Sequence, residues 1–190
     1  MTEIHPVTAE RWDDLVGLFG ESGAYSGCWC MWFRETSREF SERGNVGNRR
    51  ALQDLVHQGR VPGLLAYREG RPVGWCSMAP RGEFGRLNRS PTLKPVDDRP
   101  VWSVVCFFVD RAHRRLGVAE ELLRAAVDYA AQRGARLVEG YPVDPSGRNF
   151  RSADLYTGTV DLFRAAGFTE VARRSEARPI MRYRLDVGQP

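Results

Sequence analysis

The sequence predicts an α/β (α+β) domain: a central mixed, mostly antiparallel, twisted sheet of about seven strands flanked by helices. Three observations carry that expectation. Residues 101–109 are a near-continuous apolar run, with Trp102, Val104, Val105, Phe107 and Phe108, which suits a strand buried on both faces. Residues 117–132 then set Val118, Leu122, Leu123, Ala126, Val127 and Ala130 on one helical stripe. A strand over 136–143 follows, and a helix between two buried strands implies a right-handed parallel crossover.

The remaining elements follow in chain order. Residues 2–7 make a short first strand. Residues 9–19 place Trp12, Leu15, Val16 and Phe19 at helical spacing, with Thr8 as the expected N-cap. Residues 20–34 have no clear period and hold the aromatic cluster Cys28-Trp29-Cys30-Met31-Trp32-Phe33. Such a cluster is either a satellite core or the wall of a pocket. A short helix is expected over 49–58, with Ala51, Leu52, Leu55 and Val56 buried. Strands over 61–68 and 72–78 flank Glu69-Gly70-Arg71 and read as a hairpin. Residues 80–100 lack periodicity and form a long connection, of the kind that is functional or mobile. A polar loop over 144–152, a helix over 158–166 ending at Gly167, and a last hairpin of 169–173 with 179–185 complete the pattern.

At 190 residues, one domain spanning 1–190 with a single core is the expectation. The 42% apolar and 27% charged fractions are those of an ordinary globular protein. The 28 basic residues barely exceed the 24 acidic ones, so a solvated surface with some arginines kept for an anionic ligand is expected, rather than a nucleic-acid partner. No apolar run is long enough to span a bilayer and residues 1–10 carry no signal-peptide pattern, so a cytoplasmic address and no membrane partner are expected. Cys28 and Cys30 are one residue apart and His5, His57 and His113 do not complete a zinc pattern, so no metal is expected. Cys76 and Cys106 fall in apolar runs and are expected to act as small buried hydrophobes.

Between the buried strand and the clearest helix lies Val109-Asp110-Arg111-Ala112-His113-Arg114-Arg115-Leu116-Gly117-Val118-Ala119. A strand, an Arg/Gly turn and a helix in that order bring backbone N–H groups together at a helix N-terminus. Such a terminus carries about half a positive charge and unpaired donors, a ready site for a phosphate or pyrophosphate.

With that element order, the segment Arg114-Arg115-Leu116-Gly117-Val118-Ala119 resembles the acyl-CoA signature of the GNAT superfamily of N-acetyltransferases: Arg or Gln, two residues, Gly, one residue, Gly or Ala. The run Leu162-Phe163-Arg164-Ala165-Ala166-Gly167-Phe168 resembles a second hallmark, a helix ending in Gly-Phe before a hairpin. The resemblance covers most of the chain. It implies that acetyl-CoA (coenzyme A) is bound, its pyrophosphate on Arg114, Arg115, Leu116, Gly117, Val118 and Ala119 and its pantetheine arm along Phe107, Phe108 and Val109. It also implies direct attack by an amine in a ternary complex.

The family's usual proton donor is a tyrosine four residues before the Gly of Gly-Phe. Here that position is Phe163, which has no proton to give. Tyr156 and Tyr141 are the nearest replacement hydroxyls, unless the leaving thiol, with a pKa near ~8.5, needs no dedicated acid. Glu139 is the candidate base, against a plain solvent-facing strand residue. Tyr25, Trp29, Trp32 and Phe33 are the candidate substrate-binding wall.

Two functions follow from the resemblance. One is an acyl-CoA-dependent N-acetyltransferase acting on a primary amine of a small molecule. The other is a non-catalytic acyl-CoA-binding or regulatory module, motivated by Phe163. Dimers are common in this fold, so a homodimer is among the expected partners.

Overall fold

Among the described residues, seven strands line up in one sheet: β1 (Glu3–Pro6), β2 (Gly63–Arg68), β3 (Arg71–Pro80), β4 (Trp102–Val109), β5 (Leu137–Gly140), β6 (Thr169–Arg173) and β7 (Pro179–Arg184). Their order in this computed structural model, which describes residues 1–146, 150 and 152–185, is β1-β2-β3-β4-β5-β7-β6. β4 and β5 are parallel and every other neighbouring pair is antiparallel. The expected mixed sheet and the expected β-α-β crossover are therefore both present. Helix α4 (Val118–Ala131) makes the crossover from β4 to β5.

Two helical layers cover the sheet. On one face α4 and the short α5 (Val160–Ala165) bury Leu122, Leu123 and Phe163 against Val104 and Phe107. On the other face α1 (Trp12–Phe19) and α2 (Ser37–His57) enclose Leu15, Phe19, Trp29, Leu52 and Trp75. No helix among the described residues is long and apolar enough to cross a membrane.

The hairpin β2–β3 closes with Glu69 and Gly70 at φ 50° and 72°. Successive positive φ values are what a two-residue turn needs to match the right-handed twist of its strands.

Three expectations need correction. The helix expected over 9–19 begins as a 3₁₀ turn, Ala9–Arg11, and Thr8 makes no side-chain cap bond; its hydroxyl is buried without a partner. The helix expected over 49–58 starts twelve residues earlier, at Ser37, and bends at Gly44, where φ is 59° and ψ is −166°. Its first half buries little, so hydrophobic spacing is silent there. The start is instead set by Thr36 and Glu39, which cap each other reciprocally. The connection over 80–100 is also more ordered than its composition suggests. It holds a 3₁₀ turn (Arg81–Glu83) and α3 (Gly85–Arg89), anchored by Phe84, Leu87 and Leu93 in a third apolar cluster.

An irregularity in β4 sets up the site. Ser77 pairs with Cys106 and Met78 with Val104, so Val105 is an extra residue opposite no partner. Such a bulge bends the strand and reverses the facing of the residues beyond it. Val104 packs toward α4, Val105 and Cys106 both turn to the other face, and Phe107 returns to the α4 side. Pairing with β5 stops at Val104–Gly140, just before the bulge, so the rest of β4 diverges from β5.

Candidate active site

The divergence of β4 from β5 opens a cleft of about 1000 Å³. That is the upper end of the range for small-molecule sites. Its walls come from the loop over 20–34, β4, the turn before α4 and the segment leading into α5.

At one end sits the Arg/Gly turn between β4 and α4. Gly117 is the N-cap of α4 at φ 82° and ψ −5°, a left-handed conformation natural to glycine. Among the described residues no side chain caps the helix, so the first N–H groups of α4 are left for another acceptor. A Cβ built on Gly117 would meet nothing within 4 Å, so the space above the turn is open. Arg114, Arg115, Gly117, Val118 and Ala119 all line the cleft. Leu116 does not; its side chain is exposed and its carbonyl accepts from Arg68 Nη2 at 2.8 Å, which braces the turn. Arg115 itself is held at φ 63°, and Arg114 Nε donates to the Val109 carbonyl at 3.1 Å. Two exposed guanidinium groups and free helical donors around open space suit a diphosphate.

Phe107, Phe108 and Val109 line the cleft as expected, but their backbone is partly engaged. The Phe107 N–H donates to the Tyr156 carbonyl at 2.6 Å, so the chain before α5 occupies part of the edge that β5 leaves.

The candidate catalytic residues divide. Tyr156 lines the cleft, near Phe33 (ring centroids 6.3 Å) and with the Arg178 guanidinium 6.0 Å from its ring. Burial pushes its phenol above the usual range, so it keeps its proton at neutral pH. Glu139 and Tyr141 do not reach the cleft. Glu139 is 1% exposed on β5 and is bound by Arg182 Nε at 3.0 Å, Arg81 Nη1 at 3.3 Å and the Tyr141 hydroxyl at 3.0 Å. Tyr141 is fully buried and also takes Arg81 Nη1 at 2.6 Å and meets Ser103 Oγ at 2.7 Å; burial drives its phenol upward. The alternation of Glu139 with apolar neighbours reflects an ion-pair network inside the sheet, in place of a cleft-facing base. Arg81 and Arg182, which complete that network, gave no signal of burial in the sequence.

The candidate substrate wall also divides. Tyr25, Trp32 and Phe33 line the cleft. Trp29 is core: it is 2% exposed, stacks on Trp12 at 6.3 Å and donates from Nε1 to Asn45 Oδ1 at 2.5 Å. Phe40 completes the aromatic wall, edge-on to Trp32 at 5.1 Å, and was missed because it lies in the part of α2 that hydrophobic spacing does not reveal.

Cys76 is a buried hydrophobe as expected, with burial raising its thiol pKa. Cys106 is not. It is half-buried on the cleft wall, and Cys30 Sγ lies 3.7 Å from it. Cys28 lines the same wall. The Trp75 indole N–H donates to Cys30 Sγ at 2.6 Å.

Comparison with known families matches residues 29–157 to the Acetyltransferase (GNAT) family. Among solved structures, the chain resembles the PaiA N-acetyltransferase of Thermoplasma acidophilum, solved with coenzyme A, at TM-score 0.55 and 13% identity over 97% of this chain and 99% of that one. It resembles the ribosomal-protein-alanine N-acetyltransferase of Brucella melitensis at TM-score 0.54 and 18% identity, over 96% and 99%. It resembles the aminoglycoside N-acetyltransferase AAC(6')-Iy, solved with CoA, at TM-score 0.57 and 15% identity, over 92% of each chain. No curated protein matches it.

Proposed function

Because the chain belongs to the GNAT acetyltransferase family, we propose that it moves an acetyl group from acetyl-CoA to a primary amine of a small molecule, by direct attack in a ternary complex. The observation that carries this reading is the uncapped start of α4 at Gly117, opening on a cleft that continues along the bulged edge of β4. Arg114, Arg115 and the N–H groups of Val118 and Ala119 would hold the diphosphate of the donor. Bound there, acetyl-CoA supplies an activated thioester.

The remaining roles fall to this chain's own groups. The walls of Phe107, Phe108 and Phe33 exclude water from the far end of the cleft. Tyr156 carries a proton at its Oη on that wall, available to a departing thiolate. Tyr25, Trp32 and Phe40 offer an aromatic surface to the body of the acceptor. The solved relatives named above include one that acts on an aminoglycoside and one on a ribosomal-protein alanine. The aromatic wall of Tyr25, Trp32 and Phe40 favours the smaller acceptor. Thiol release from acetyl-CoA, followed against a panel of amines and peptides, tests the reading. Turnover with small amines supports it, and turnover with peptides alone overturns the acceptor class.

A non-catalytic acyl-CoA-binding role rests on Phe163, whose ring packs edge-on to Phe107 and Phe168 and brings no hydroxyl to the site. Tight cofactor binding without turnover on any acceptor would favour that role.

A further inference from the structure

Among the described residues three thiols line the cleft where the aromatic loop meets β4: Cys28, Cys30 and Cys106. The fold does not treat them alike. Cys28 Sγ donates to the Gly23 carbonyl at 3.6 Å, inside its own loop. Cys30 Sγ instead crosses to β4 and donates to Cys106 Sγ at 3.7 Å. These two lie 76 positions apart in the chain, so only the fold brings them together. Cys76, the fourth cysteine, is fully buried on the α4 side of the sheet.

Each partner is fixed from its own side. The bulge at Val105 turns Cys106 toward the loop, where it is half-buried and borders the cleft. Cys30 sits behind it, 4% exposed, on backbone held at φ 53° directly after Trp29 at 41°. The Trp75 indole N–H anchors the Cys30 sulfur at 2.6 Å. A disulfide needs its sulfurs at about 2.05 Å, so a pair already 3.7 Å apart has less than about 2 Å still to close. An accessible thiol beside a second one that can resolve it is the arrangement of a redox-sensitive pair.

Resting on the acyl-transfer reading above, we propose that Cys106 and Cys30 form a dithiol site that a hydroperoxide oxidises to a disulfide, and that this bond closes the acceptor end of the cleft. Cys106 meets the oxidant first because it borders the cleft. Burial first, and then Cys106 and Cys28, hold the Cys30 thiol well above its usual range, so Cys30 keeps its proton at rest.

The chemistry balances in two steps. The Cys106 sulfur attacks one oxygen of hydrogen peroxide; the O–O bond breaks, an S–O bond forms, and water leaves with the thiol proton. The Cys30 sulfur then attacks the sulfur of that sulfenic acid. An S–S bond forms, the S–O bond breaks, and the hydroxide leaves as a second water with the Cys30 proton. Two electrons pass from the two thiols to the peroxide, and a dithiol reductant returns them by exchange.

The bond has a direct consequence for the cleft. Trp32 and Phe33 follow Cys30 closely on one wall, and Phe107 and Phe108 follow Cys106 on the other. Drawing the two sulfurs together draws these walls together. The Arg/Gly turn at the opposite end keeps its donors.

Peptide mapping tests the site itself. The reduced protein, free of acetyl-CoA, is treated with hydrogen peroxide, blocked with iodoacetamide and digested without reduction. Mass spectrometry should find the segment holding Cys30 joined to the segment holding Cys106, and dithiothreitol should separate them. Cys28→Ser should form the same link, which assigns the bond to Cys30. A bond from Cys28 to either thiol, or Cys106 carried to its sulfinic acid while Cys30 stays free, overturns the site.

Kinetics tests the closure. Oxidation should raise the KM for an accepted amine at least about tenfold, reversibly with dithiothreitol, while coenzyme A affinity stays unchanged. Cys30→Ser and Cys106→Ser should each abolish the response to peroxide, with coenzyme A binding as the check that both are folded. A linked protein with unaltered amine kinetics overturns the closure. Absence of turnover by the reduced protein with every amine overturns the transfer reading and the closure together, and the peptide map still decides the dithiol site by itself.

Discussion

Arg182 on β7 and Glu139 on β5 stand opposite each other in the sheet, and the guanidinium bridges the buried Glu139 carboxylate to Asp97, 2.8 Å away on its other side. Arg81 and Tyr141 close the network from the connection before β4 and from the end of β5. Removing one partner of a buried pair strands a charge, at a cost of about 3–5 kcal/mol. Glu139→Ala is therefore expected to lower the urea midpoint sharply while the folded fraction keeps its affinity for coenzyme A. Unchanged stability with lost turnover would instead return Glu139 to the chemistry.

Gly117 is the second point of test. Gly117→Ala puts a Cβ into the open space above the turn, and a left-handed conformation costs a non-glycine residue about 1–2 kcal/mol. Titration calorimetry should show coenzyme A binding weakened at least about tenfold, the equivalent of ~1.4 kcal/mol. Unaltered affinity would mean that the diphosphate lies elsewhere.

Tyr156→Phe separates proton donation from binding. Its side chain lines the cleft, while the contact it makes to β4 comes from its carbonyl, which the substitution keeps. Steady-state kinetics should show kcat reduced on the order of 10²-fold, with KM for acetyl-CoA nearly unchanged. Wild-type kcat would show that the thiolate leaves without this phenol.

Asp97 gives a pH signature. Arg99 first, and then Arg182, hold its carboxyl well below the usual range. A depressed carboxylate stabilises the fold above its unfolded pKa of about 3.9, and that contribution fades as pH falls below it. The stability difference between the wild type and Asp97→Asn should be full at neutral pH and shrink in acid. Urea midpoints measured from pH 7 downward check the sign, and a difference that grows in acid would contradict it.

The Arg/Gly turn before α4 was legible because it is local. Val118 to Ala130 repeat at helical spacing, Gly117 is the residue that a left-handed cap requires, and the donors come from one short stretch of backbone. The aromatic loop was legible only as a cluster. Trp29 and Phe33 look alike in the sequence, yet Trp29 turns into the core against Trp12 while Phe33 faces the cleft. That choice depends on backbone φ values in a loop without period. Glu139 misled for a related reason. Alternation along a strand tells which residues share a face, but not whether Arg81 and Arg182 wait there to pair with a carboxylate.

Contiguous residues therefore specify the mixed sheet, the parallel crossover and the Arg114–Ala119 turn, because period, cap and turn chemistry act over a few positions. The thiol wall comes from folding. An unpaired Val105 rotates Cys106 toward Cys30, and neither the bulge nor the 3.7 Å approach is written in any short run of sequence. Strand register sums contacts across the whole sheet, and the facing of every side chain after a bulge depends on that sum.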